Sequence, residues 1–421
     1  MRASATTTPD RATRPPSRWR KEPAASGAAA VLKTLGADAD KSVVQGGMLA
    51  RRSPLGVSRL KSVWTPPSSL GRDLVLLAAF GFAGVAVLLV YVFMTHTPAA
   101  GIPHLFDFHT FWQAGRDYAH GRDPYPRSIA GPIGRADWFV YPAPVAAAMV
   151  PFGLLPYGLA WIVFGIVLIA AVVASLWLVG VRDWRCYAIA FCTIPVLKAL
   201  NLGTVTPLLL LGVAATWKFR DRRGMLAFVV AATVVTKLFL WPLLPWLWFT
   251  GRRRAAVQAL VGALVVTALA WLPLGLASIE RYPPLLHQLS RAESGAGYGV
   301  SGLAAALGAS YSVAAIVPVF LAPLAIIAAW ATARGLPESR SLAVLVVTAI
   351  AISPVVWEHY FALSLVVVGL LSPTLSPAWL LPLAYWLTPS QQAWGSLWRT
   401  ALALVVLAAY GWWRPWLKLS A

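Results

Sequence analysis

The 421-residue chain is 58% hydrophobic and 12% charged, yet it carries a formal net charge of +20. A charge density about half the ~25% of soluble domains excludes an ordinary water-soluble protein and points to a polytopic membrane protein. Nor is the positive charge a nucleic-acid footprint: in residues 1–72, 13 Lys and Arg stand against Asp10, Glu22, Asp38 and Asp40, so nine of the twenty net charges lie in that segment.

Residues 1–72 are rich in Pro, Ser and Ala and too polar to pack a core, so they read as a disordered basic cytoplasmic tail. Anionic membrane lipids are its expected partner, with a solvated tail that only fixes topology as the alternative. The first apolar run is longer than the core of a signal peptide. Residues 73–413 form the membrane domain. Runs such as 73–94 and 159–180 reach the ~20 apolar residues a spanning helix needs, without the alternation of a β-barrel strand. The expected fold is therefore an all-α polytopic membrane protein of about twelve segments. They fall at 73–94, 158–180, 186–200, 204–217, 224–236, 238–250, 255–276, 312–332, 341–354, 360–372, 377–388 and 396–413. No internal repeat is visible, which counts against transporter folds built from repeated halves. Cys186 and Cys192, six apart in one apolar segment, fall on different helix faces and imply no disulfide framework.

Loop charge sets the expected orientation. The loops 218–223 and 252–254 each carry a net charge of +3, and the cytoplasmic C-terminus, 414–421, is also basic, which places all of them inside with the N-terminus. Residues 95–140 balance Arg116, Arg122, Arg127 and Arg135 with Asp107, Asp117, Asp123 and Asp137, and so belong outside. Between the two basic loops lie only 27 apolar positions, which must cross an even number of times. Two helices of about a dozen residues, each ~18 Å long, would meet within the membrane near Lys237. Such a hairpin needs protein or a wet cavity around it.

From Phe108 to Ala119, the apolar positions Phe108, Phe111, Trp112, Gly115 and Tyr118 recur at helical spacing. They predict an amphipathic helix in the first outer loop, lying in the membrane interface. Asp107 stands at its start, either as an N-cap or as a general base. Asp123 precedes Pro124 and reads first as a turn former, while Asp117 and Asp137 read as solvated. The second outer loop, 277–311, ends in SGAGYGVSG, read as a flexible spacer or a lid. Lys237, ionisable within the membrane domain, is a functional residue by default or a snorkelling one; Lys198, near a segment end, reads as snorkelling. Trp112, Tyr141 and Trp357 suit stacking on a sugar or an interfacial aromatic belt. The histidines 104, 109, 120, 287 and 359 lack metal-ligand spacing, so no metal and no cofactor is expected.

Five stretches in order, FDFHTFWQAGRDYAHGRDPY, FVYPAPVAAAMVPFGLLP, NLGTVTPLLLL, VTKLFLWPLLPWLWFTGRRR and ISPVVWEHYFAL, resemble the membrane glycosyltransferases of family GT87, which have the GT-C fold. The resemblance covers residues 73–413. It departs at YPAP in place of Tyr-Pro-Pro, at LGT where Gly-Gln is common, and at the Leu after Lys237. It implies an inverting hexosyltransferase, α-mannosyltransferase-like, in the plasma membrane, with its active site on the extracytoplasmic side and a role in the cell envelope. The donor would be a polyprenyl-phosphate sugar, most simply mannose, and the acceptor a hydroxyl of a glycolipid or lipoglycan. By the same resemblance Asp107 is the general base, and His359 stands at the family's Trp-x-His position, to bind the donor phosphate or orient the sugar. Lys237 is the candidate cation for that phosphate, and Trp112, Asp123, Tyr125, Tyr141, Trp357 and Glu358 are candidate sugar or acceptor contacts, with Glu358 a candidate partner of His359. The alternatives are arabinofuranosyl transfer from the same kind of donor, or a transporter or flippase of lipid-linked sugar.

Overall fold

The computed structural model describes residues 69–95, 104–126, 138–293, 297–388 and 396–412. The expected basic tail up to residue 68, Asp137 and the C-terminal segment 414–421 lie outside the described residues. Among the described residues all regular structure is helical: α1 (Ser69–Thr95), α2 (Phe106–Ala119), α3 (Ala143–Gly153), α4 (Tyr157–Leu178), α5 (Trp184–Phe191), α6 (Ile194–Leu202), α7 (Thr206–Lys218) and α8 (Arg223–Thr236) come first. They are followed by α9 (Leu243–Phe249), α10 (Arg253–Trp271), α11 (Leu276–Glu293), α12 (Val300–Ala306), α13 (Tyr311–Gly335), α14 (Glu338–Ala351), α15 (Ser364–Leu371) and α16 (Leu397–Trp412). Short 3-10 stretches precede α9 at Leu238–Leu240 and α15 at Glu358–Leu363, and another covers Pro377–Leu387.

Local sequence explains the starts. Proline stands in the first turn of α3, α6 and α7, where its missing N–H costs nothing. Asp183 caps α5 by accepting from the Arg185 backbone N–H, and the Ser310 hydroxyl caps α13 through Val313. Three helices, Tyr157–Leu178, Arg253–Leu274 and Tyr311–Gly335, are long and apolar enough to cross a membrane, or four if α5 and α6, bent by 62°, count as one. Several other apolar helices, among them α8 and the stretches Leu238–Phe249 and Glu358–Leu371, run to 10–17 residues, because prolines and 3-10 turns interrupt the runs that the sequence joins.

α8 and α9 form the short hairpin. Its two basic ends touch: the Arg252 Nε donates to the Arg220 carbonyl at 2.7 Å, and both guanidiniums pair with Glu338 at the start of α14. The chain reverses at Lys237, which leaves α8 in extended conformation, ~20 Å along the axis from Arg223.

Two further helices stand inside the loop expected to run from 95 to 157. α2 begins at Phe106, with Leu105 at its N-cap position and no side-chain cap, so Asp107 is a first-turn residue and not the cap. Leu105 is fully buried in the left-handed region, φ 52°, a conformation that costs a non-glycine residue about 1–2 kcal/mol and persists only under tertiary packing. α3 packs along α2 so closely that a Cβ on Gly115 would come within 2.4 Å of the Met149 carbonyl oxygen, and one on Gly153 within 2.4 Å of the Arg116 nitrogen. The Ala-Gly pair of α2 is thus a helix crossing point.

Candidate functional site

Asp107 and Lys237 are brought together from 130 positions apart. α2, pinned on α3, presents Asp107; the break after α8 presents Lys237. Burial pushes the Asp107 carboxyl up to about 6, and the Lys237 ammonium pulls against that rise. Among the described residues no hydrogen bond reaches the Asp107 carboxylate, so it stands ready to accept one. The Lys237 amine donates to the Tyr141 hydroxyl at 2.9 Å and lies over the rings of Tyr360, at 4.1 Å, and Tyr141, at 4.8 Å. These faces steady a cation that has little water around it.

Lys237 opens into a cavity of about 370 Å³. Its polar groups are Lys237, the tyrosines 141, 282 and 360, Ser290 and Ser353; Leu286, Leu289, Ile352 and Val355 are among its apolar walls. An apolar chamber with a few convergent polar groups and one cation suits a lipid-borne anion. Trp357 lines it as well. His359 is buried behind Tyr360, ring centroids 4.9 Å apart, within reach of the charges of Lys237 and Lys198, and its Nε2 has no partner among the described residues.

The other expected contacts are placed differently. The Trp112 indole donates to the Leu155 carbonyl at 3.0 Å and stacks near His109, locking α2 to the turn after α3. Tyr125 is buried; its hydroxyl donates to the Tyr141 carbonyl at 2.8 Å and its ring stacks on Trp271 at 5.1 Å. It therefore supports Tyr141 from behind. Asp123 forms the expected turn, accepting from the Tyr125 N–H at 3.0 Å, and its other oxygen takes the Ser278 hydroxyl at 2.6 Å and Arg281. That carboxylate ties the segment after α2 to α11, whose later residues wall the cavity. Glu358 accepts from the Tyr298 hydroxyl at 2.8 Å instead of pairing with His359.

Tyr298 is the residue that sequence reasoning missed. The glycine-rich stretch around it is not a loose spacer at residues 297–299: the Tyr298 N–H donates to the Val356 carbonyl at 2.8 Å, and a Cβ on Gly299 would meet the Val356 side chain at 2.7 Å. The available signal was a lone tyrosine bracketed by glycines, the pattern of a backbone that must approach another closely.

A protein-family model, that of Glycosyltransferase family 87, matches residues 139–377. The match takes in Tyr141, Lys237, Trp357, Glu358 and His359, while Asp107 lies ahead of it on α2, which packs against α3. No curated protein and no solved structure matches the chain. With more than half its length inside the family model, the chain belongs to Glycosyltransferase family 87.

Proposed function

We propose that this glycosyltransferase moves a sugar, mannose in the simplest case, from polyprenyl phosphate to a hydroxyl of a glycolipid or lipoglycan on the outer face of the plasma membrane. The reading keeps about twelve membrane segments, counting the broken helices, with α2 in the outer interface. The observation that carries it is the buried Asp107 carboxylate, raised to about 6 within the field of Lys237, whose amine lines an apolar cavity.

Asp107 accepts the acceptor hydroxyl's proton as that oxygen attacks the anomeric carbon from the face opposite the phosphate. The bond from the sugar to the phosphate oxygen breaks, and polyprenyl phosphate leaves with the electron pair. Configuration inverts, so a β-linked donor gives an α product. Lys237, with the unpartnered His359 Nε2 nearby, meets the charge that grows on the leaving phosphate. A cation already in place stabilises that charge without reorganisation. The apolar walls accept the isoprenoid chain.

The test uses purified protein in lipid with radiolabelled polyprenyl-phosphate mannose and an acceptor extract. Transfer should fall about a hundred- to ten-thousandfold in Asp107→Asn, the range general-base catalysis supplies. Turnover equal to wild type would remove Asp107 from the chemistry. Donor translocation without product would favour the transporter reading.

A further inference from the structure

A second site lies at the opposite end of the molecule from Asp107. The starts of α8 and α10 meet there around a hollow of about 510 Å³, lined by Arg220, Asp221, Arg223, Arg252, Arg253 and Arg254. Glu338 and Asp221 neutralise only part of this charge, because both engage Arg220 and Arg252. Arg223 and Arg254 are exposed, and among the described residues no acid pairs with either. The free N–H groups of two helix starts add to the positive potential.

Directly along the same two helices runs an apolar groove of about 350 Å³. Ala227, Phe228 and Ala231 of α8 and Gly262, Ala263 and Val266 of α10 line it, together with residues of α3 and α7. Beside it, Phe228, Leu260, Val261 and Leu264 are exposed, forming an apolar surface suited to lipid. Trp248, next to the arginines and under the Arg253 guanidinium at 5.5 Å, is half exposed at the level where headgroups sit.

A cationic hollow whose Leu226 adjoins Ala227 of a hydrocarbon-lined groove is complementary to one kind of molecule, an anion covalently joined to an acyl chain. We infer that α8 and α10 form a binding site for one anionic phospholipid, its phosphate held by Arg223 and Arg254 and an acyl chain lying between the helices. The arginines lie at the other end of α8 from Lys237, while the groove runs as far as Thr236; the inference does not depend on which sugar is transferred. Since α8 ends at Lys237, a lipid seated here braces the helix that carries the phosphate-binding residue.

The experiment is native mass spectrometry of the full chain from nanodiscs of phosphatidylcholine, with or without phosphatidylglycerol. A melting curve is taken for each preparation. One phosphatidylglycerol should be retained per chain in preference to phosphatidylcholine, and should raise Tm. Binding should weaken about thirtyfold in Arg223→Ala/Arg254→Ala, given the attraction each cation contributes at a lipid surface. Gly262→Phe should displace the lipid by filling the groove; if that variant misfolds, the double arginine variant, altered at exposed positions, decides alone. The inference is overturned by equal retention of the two lipids in the wild type or by wild-type affinity in the double variant. It is also overturned if glycerol 3-phosphate displaces the lipid at equal concentration, which would make this a soluble-phosphate site. Displacement by polyprenyl phosphate would give the groove to the donor chain and overturn it as well.

Discussion

An aspartate with an ordinary acidity would be a carboxylate throughout the working range of a cell and would leave no mark on the pH profile above about 5. Asp107 differs, because desolvation outweighs the nearby Lys237 charge and brings its carboxyl to about 6. As the proposed base, Asp107 would act only when deprotonated, so activity would be lost as pH falls through that value and be full above it. We expect kcat/KM to rise tenfold per pH unit below about 6 and to level off above it, and the residual rate of Asp107→Asn to lack this limb; a limb that persists in the variant assigns the ionisation to another group. In the mechanism we propose, Lys237 has the complementary part. Its amine, held by the Tyr141 hydroxyl and two ring faces, is fixed before the leaving phosphate gains charge. Lys237→Ala should lower kcat/KM for the donor about a hundred- to a thousandfold, the scale of one preorganised stabilising group. Donor kinetics unchanged in that variant would leave the phosphate to His359 and other groups.

At the level of helices, the placement of Asp107 depends on the crossing of α2 and α3. A methyl group on Gly115 would be driven into the Met149 carbonyl, and backbone on both sides leaves little room to yield. Gly115→Ala should therefore destabilise by about 1–3 kcal/mol and reduce transfer by displacing Asp107. Gly84→Ala in α1, where nothing lies within 4 Å, should leave both unchanged or slightly improved. Melting curves and initial rates of the two variants check this, and equal behaviour would mean that the crossing is not what fixes the site. The helix itself was legible in the spacing of Phe108, Phe111 and Gly115, all buried in the fold. Its first turn was not: a left-handed Leu105 is imposed by surrounding packing, and no local signal marks it. α3 escaped notice because eleven apolar residues behind prolines look like the approach to α4. Lys237 could be singled out from one chain because a cation among apolar runs is costly and rare. Tyr298, sixty residues from its partner Glu358, could not, since the sequence does not say which distant carboxylate a tyrosine will meet.

Across the whole molecule, charge and chemistry are separated along α8 and α10. Both helices start at the arginine-rich end, where Arg252 touches the Arg220 carbonyl. α8 ends at Lys237, and near the end of α10 the Ala270 carbonyl accepts the Tyr118 hydroxyl of α2 at 3.0 Å. α2 is therefore held at the far ends of two helices, ~20–25 Å from the arginines. Positive charge is retained on the cytoplasmic side during insertion, and the orientation we propose on that basis puts Asp107 and Lys237 outside. Ala119 at the end of α2 and Lys218 at the end of α7 are both exposed and report on the two ends. The native Cys186 and Cys192 are buried and give little background. In intact cells a membrane-impermeant maleimide should label Ala119→Cys and spare Lys218→Cys until the membrane is opened. Labelling of both positions from outside would break the separation that the helices impose. Labelling of Lys218→Cys alone would invert the protein and place the sugar acceptor in the cytoplasm. In either case the sugar would not be transferred on the outer face, and an exposed lipid-linked donor would no longer be the substrate that the cavity's position favours.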